Sequence, residues 1–265
     1  MTQGFLNKIQ ALMQEKKYRE ALALSKEKEK ETDSPRERCL LREAQGKCEQ
    51  ALGNLAEAEE LFRSALSMAE EENDPHDLFL ARLLRNLSMT LDQEQKYAEA
   101  IPHTEQELTI LRNSLPDSDL RIADCMLGLA KHHYEQGRFA LASEMIHDCM
   151  ARYEAKEGRN CLGMSACLNN LGRILENQGE NEASIPLFTE AVRIRKELLG
   201  THEETAFTLL NLGTALAGIG SYKEAAQVLL ECKDMYMALH LEESPYFEAC
   251  RANLMLCFNA VCTPC

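Results

Sequence analysis

The sequence predicts an all-α fold: an α-solenoid, coiled as a right-handed superhelix, of about six stacked helical hairpins closed by a C-terminal capping helix. Three observations predict it. The marker pattern Gly-x-(Tyr/Phe/Leu)-x-x-Ala recurs through the chain. Turn and helix-capping residues recur in a second, interleaved set with a similar period. Between them, apolar residues keep helical spacing, and Trp is absent while aromatics make up only 6% of the 265 residues.

The marker sets are Gly53/Leu55/Ala58, Gln95/Tyr97/Ala100, Gly137/Phe139/Ala142, Gly179/Asn181/Ser184 and Gly220/Tyr222/Ala225. Their starts differ by 42, 42, 42 and 41 residues, and an earlier copy, Lys16/Tyr18/Ala21, lies 37 residues before Gly53. The breakers are Asp33-Ser34-Pro35, Asn73-Asp74-Pro75, Pro116-Asp117-Ser118, Gly158-Arg159-Asn160, Gly200-Thr201-His202 and Ser244-Pro245. These residue types start, stop and turn helices. Two unrelated residue classes therefore agree on one period. Within a unit, Leu168, Leu171, Gly172 and Leu175 fall at i, i+3, i+4, i+7, and Ile185, Phe188, Ala191, Val192 and Arg195 repeat the rhythm beyond the Gly179 turn. Each unit is thus a pair of amphipathic helices. The expected organisation is a single array over 1–265, with hairpins near 2–32, 38–73, 79–114, 121–157, 163–200 and 205–241 and a last helix at 246–262.

Composition narrows the function. A formal net charge of −14 repels phosphate backbones and anionic headgroups, so neither nucleic acid nor a membrane is an expected partner. No apolar run reaches the ~18 residues needed to span a bilayer, and the N-terminal stretch lacks the features of a secretory signal. The 11 cysteines are scattered singly, many at apolar helical positions such as Cys149, Cys167, Cys232 and Cys257. That usage points to free thiols in a reducing, cytoplasmic setting.

Leu171-Gly172-x-x-Leu175 with Phe188 and Ala191, and Leu212-Gly213-x-x-Leu216 with Tyr222 and Ala225, resemble the tetratricopeptide repeat (TPR) pattern L-G-x-x-Y…A-x-x-x-F…A. The period near 42 resembles the longer-helix subclass of kinesin light chains and nephrocystin-like proteins, and residues 168–200 match best. The resemblance implies a protein-binding adaptor or scaffold whose concave groove is lined by the first helix of each hairpin. With the Leu-Gly pair numbered 7 and 8, position 6 reads Asn7, Ala44, Asn86, Gly128, Asn170, Asn211. An amide can donate to and accept from an extended backbone. By resemblance, Asn86, Asn170 and Asn211 hold peptide in this way; the plainer alternative is a polar residue tolerated at an exposed site.

Basic residues flank them, Lys47, Arg82, Arg85, Lys131, Arg173 and Arg251, against Glu43, Asp124 and Glu248. Arg82 and Arg85 are one turn apart, a spacing that lets two guanidinium groups grip a carboxylate. An acidic or C-terminal peptide is the expected ligand, unless these bases pair with the nearby acids. The Lys/Asn carboxylate clamp of TPR co-chaperones is missing: Arg85 at position 5 is followed by Met89 at position 9.

No catalytic role and no cofactor are expected, since no phosphate-binding loop, dinucleotide fingerprint or nucleophile elbow occurs. His132-His133 with His147 lacks metal-ligand spacing, and Cys262-Thr-Pro-Cys265 lacks a redox-motif setting. The last helix, with Met255, Leu256, Cys257, Phe258 and Val261, is too apolar for a free cap. It suggests self-association, or an alternative role as a structural subunit of a transport, cytoskeletal or ciliary complex.

Overall fold

A computed structural model describes the backbone of residues 2–70 and 78–262; the Asn73-Asp74-Pro75 breaker and the end of the Cys262-Thr-Pro-Cys265 stretch lie outside them. The described residues form thirteen α-helices and no strand. The chain divides into two compact units, Met1–Arg138 and Phe139–Cys265.

The first unit contains α1 (Thr2–Gln14), α2 (Tyr18–Glu31), α3 (Pro35–Ala51), α4 (Leu55–Glu70), α5 (Leu78–Gln93), α6 (Tyr97–Ser114) and α7 (Leu120–Glu135). Helices α1/α2, α3/α4 and α5/α6 pair as hairpins, and each hairpin packs on the helix that follows it. The second unit contains α8 (Phe139–Glu157), α9 (Leu162–Asn177), α10 (Asn181–Leu199), α11 (Glu203–Gly218), α12 (Tyr222–Ala238) and α13 (Pro245–Cys262). Here α8 packs on α9, the hairpins are α9/α10 and α11/α12, and α13 lies against α11 and α12.

The marker column supplies the hairpin turns. Lys16, Gly53, Gln95, Gly137, Gly179 and Gly220 all take positive φ, between 58° and 84°. Such a left-handed residue ends a helix and reverses the chain, and glycine adopts it without strain. Two breakers, and a residue just after a third, cap the helix that follows. Ser34 Oγ accepts from the Glu37 amide ahead of Pro35, and the side chains of Asp119 and His202 accept from Arg121 and Glu204 amides. Each satisfies an amide that a helix start leaves without a partner.

Close approach within a hairpin depends on position 8. A Cβ on Gly46 would sit 2.7 Å from the Phe62 ring, one on Gly172 2.6 Å from Phe188, and one on Gly213 2.6 Å from Leu229. The second helix thus drops a large buried side chain into the notch left by glycine. Ser88 fills the same position of α5 and accepts a 2.9 Å hydrogen bond from Thr104 on α6. The corresponding position of α13 holds Met255, 67% exposed. That helix buries Phe247, Cys250, Leu254 and Cys257 against its neighbours and leaves Leu256, Phe258 and Val261 exposed.

Gly172→Ala therefore forces Phe188 to move and is expected to cost about 1–3 kcal/mol, beyond the helix-propensity gain of up to about 1 kcal/mol. Gly128→Ala, on α7 with no atom within 4 Å of the added methyl, should instead gain about 0.5–1 kcal/mol. Urea midpoints at unchanged slope measure both.

Candidate functional site

In the first unit the position-6 face is organised around Glu43 of α3. This carboxylate is buried, and it accepts from Lys47 Nζ at 2.6 Å, from the Arg82 guanidinium at 2.8 Å and from Asn86 Nδ2 at 3.1 Å. Burial of an anion is tolerated because three donors, two of them cationic, surround it. Arg82 also lies over the Phe79 ring at 5.0 Å. Lys131 does not join this group; its Nζ donates to Asp92 at 2.6 Å. The bases expected to meet a ligand are thus largely matched by acids from neighbouring first helices.

Arg85 differs. Among the described residues it makes no ion pair, and it lines a cavity of about 340 Å³ with Phe79, Arg82, Glu107, Leu111 and Arg121. A second cavity of about 290 Å³ has Leu6, Ile9, Met13 and Leu40 as its apolar wall and Glu43, Lys47 and Arg82 as its polar rim. Arg82 borders both.

In the second unit the asparagines brace one another. Asn211 Nδ2 donates to Asn169 Oδ1 at 2.9 Å, linking α11 to α9, and Asn169 Nδ2 reaches Asn170 Oδ1 at 3.5 Å. Further along, Asn253 of α13 donates to Thr214 of α11 at 2.9 Å. Asn170 and Arg173 are half-buried on α9, one turn apart. Phe207 and Tyr246 meet edge to face at 4.9 Å on α11 and α13.

His132 and His133 are buried, and burial holds both imidazoles below their ordinary pKa; His147 is exposed on α8. Among the described residues no group of three or more His, Cys, Asp or Glu side chains could hold a metal ion. Among the described residues nine cysteines, Cys39 through Cys257, are buried thiols in no disulfide.

Residues 36–113, 121–197 and 164–238 match the tetratricopeptide repeat family. The chain is a tetratricopeptide-repeat protein. A 68-residue stretch, 26% of this TPR chain, is 32% identical to the protein O-mannosyl-transferase Tmtc3 of Drosophila melanogaster and spans 7% of that protein. The apo quorum sensor NprR from B. thuringiensis superposes over 97% of the TPR chain and 68% of its own, with TM-score 0.76 and 16% identity. NprR in complex with its cognate peptide NprX superposes at TM-score 0.71 and 16% identity, over 97% of this chain and 71% of its own. A putative kinesin light chain from Podosopora anserina, with nearly identical TPR-like repeats, covers 78% of this chain and 99% of its own, at TM-score 0.60 and 18% identity.

Sequence reasoning passed over Asn169 and Glu107 and counted Glu43 only as an opposing charge. Glu43 and Asn169 occupy position 5, where Arg85, Leu127 and Leu210 also fall, and a column mixing charge with leucine signals a partly buried site. Glu107 stands in a second-helix column otherwise filled by Ala65, Cys149, Ala191 and Cys232. It is buried, and desolvation pushes its carboxyl up to about 7, with Asp124 adding to the rise and Arg85 and a hydrogen bond with Cys125 opposing it.

The native TPR fold therefore favours the protonated form of Glu107. Its contribution to stability is complete below the ordinary carboxyl value of 4.5 and is lost as pH rises through about 7. On the order of 3 kcal/mol is expected to disappear across that window, and Glu107→Gln should flatten it in urea titrations taken at a series of pH values. Asn211→Ala leaves the buried Asn169 carbonyl without its donor and is expected to cost about 1–3 kcal/mol by the same measurement.

Proposed function

We propose that this TPR protein is an interaction adaptor that holds a linear segment of a partner protein against the first-helix faces of its units. One observation carries the reading. Two cavities adjoin at Arg82, one bordered by α1, α3 and α5 and the other by α5, α6 and α7, and each is lined by both apolar and charged side chains. Adjacent recesses of this kind suit successive side chains of an extended chain. Asn86, Arg82, Arg85 and Lys131 in the first unit, and Asn170, Asn211 and Arg173 in the second, are the contact residues of this reading. NprR, similar in fold, lends support as a protein that takes a peptide, NprX.

The chemistry of the face agrees. Donors already engaged by Glu43 or by other asparagines exchange one polar partner for another on binding, so the net gain per hydrogen bond is small, about 0.5–1.5 kcal/mol. Ordering a flexible segment costs about 2–5 kcal/mol. Micromolar affinity, about −8 kcal/mol, is the expected balance. The acidic field of the chain disfavours nucleic acid, and no described helix is long and apolar enough to cross a membrane. The buried free thiols support a reducing, cytoplasmic setting. Nothing in the reading calls for catalysis or a cofactor.

Docking into a larger assembly through α13 is a second reading, favoured by the exposure of Met255, Leu256, Phe258 and Val261. Under it, Leu256→Glu with Phe258→Glu lowers the mass of the native complex on size exclusion and leaves peptide binding intact; an unchanged mass rejects it.

The adaptor reading is tested by affinity capture with mass spectrometry, followed by titration of a synthetic peptide from the captured partner. Asn86→Ala and Asn170→Asp remove amide donors without setting a second carboxylate against Glu43, and each is expected to weaken the peptide about tenfold, near 1.4 kcal/mol. Equal affinity in wild type and both variants defeats the groove model.

A further inference from the structure

The cavity between α5, α6 and α7 combines two features that a merely structural site would avoid. Arg85, on its wall, has no ion pair among the described residues, whereas the two guanidinium groups beside it are committed. Arg82 is held by Glu43, and Arg121 is held by both oxygens of Asp119 at 2.9 and 2.8 Å. Glu107, also on the wall, is a carboxylate buried without a hydrogen-bonded cation. A buried carboxylate close to an uncommitted arginine would ordinarily close into a bidentate pair. Here the two face one open volume and leave room for a third group.

Resting on the adaptor reading, we propose that this cavity is a carboxylate subsite in which Arg85 takes an acidic side chain of the bound segment in the volume that Glu107 also faces. The charges that face Glu107 fit such a subsite. From α5 come Arg82 and Arg85. From α7 come Arg121, Asp124 and the Cys125 thiol, and along α6 lies Arg112. Asp124 and an incoming carboxylate both oppose ionisation of Glu107, and Arg85 ceases to favour it once a ligand anion neutralises its charge. Binding of an acidic group therefore takes up a proton at Glu107, and by linkage affinity for that group falls as pH rises. The burial that lifts the Glu107 carboxyl to about 7 sets the window near neutrality. Phe79 and Leu111 wall the cavity and keep the charge pair away from bulk water, which strengthens it.

The test uses the full chain and two probes, an amidated peptide of alternating Ala and Glu and its Ala-Gln counterpart, titrated calorimetrically in buffers of different ionisation enthalpy. The acidic probe is expected to bind about tenfold tighter near pH 6 than near pH 8, with uptake of close to one proton near pH 8 and little near pH 6, and the Gln probe to bind weakly at both. Glu107→Gln should bind the acidic probe near pH 8 as tightly as the wild type does near pH 6, without proton uptake. Arg85→Gln should lose about tenfold at both pH values while keeping its helical circular dichroism. Equal binding by Arg85→Gln, equal binding of the two probes, or wild-type proton uptake retained in Glu107→Gln overturns the subsite. If any of these results comes with a partner peptide that still depends on Asn86 and Asn170, the subsite fails and the groove stands. If that dependence is also missing, both fail.

Discussion

Much of this molecule depends on how closely two helices of a hairpin can approach. At Gly46, Gly172 and Gly213 the first helix presents bare backbone, and Phe62, Phe188 and Leu229 fill the space a side chain would have taken. That contact buries a large apolar group completely and sets the separation of the pair. Once the pair is close, the remaining apolar stripe of each helix has no partner within its hairpin and must be covered by the next one. The other face of the first helix is left over. It is free to carry polar groups because the fold asks nothing apolar of it.

What the polar face does with that freedom is a matter of electrostatics. Buried carboxylates at Glu43 and Glu107 are unusual in a chain whose overall charge is already strongly negative. Glu43 is stabilised by Lys47, Arg82 and Asn86, and it also holds the last two in place. Under the adaptor reading, a ligand there would meet donors of fixed direction, so less side-chain entropy would be lost on binding. The second unit uses neutral amides for the same purpose. The Asn211–Asn169 bond ties two first helices together without any net charge. The polar bonds between first helices therefore differ in kind between the two units, ion pairs in one and an amide pair in the other.

The fold was legible in the sequence because its two strongest determinants are local. The residues of the marker column, glycine or not, sit in left-handed turns, and Ser34 and His202 cap helices as their types suggest. The site was less legible. Position 6 drew attention through its asparagines, yet whether an arginine beside it on the same face is bare or neutralised depends on an acid 39 residues away, as Arg82 and Glu43 show. Pairings across neighbouring repeats leave no mark in a single window. Glu107 could have been found by reading columns of the second helices as closely as those of the first.

Met255 has a consequence for how such a chain can change length. With a thioether in place of the notch, a second helix on α13 could not come as close as the partners at Gly46, Gly172 and Gly213 do. A 42-residue block duplicated internally would arrive with a glycine, serine or alanine already in that place and could slot in without disturbing its neighbours. Tandem copying at that close spacing is therefore open inside a unit and hindered at α13, by the bulk of one side chain.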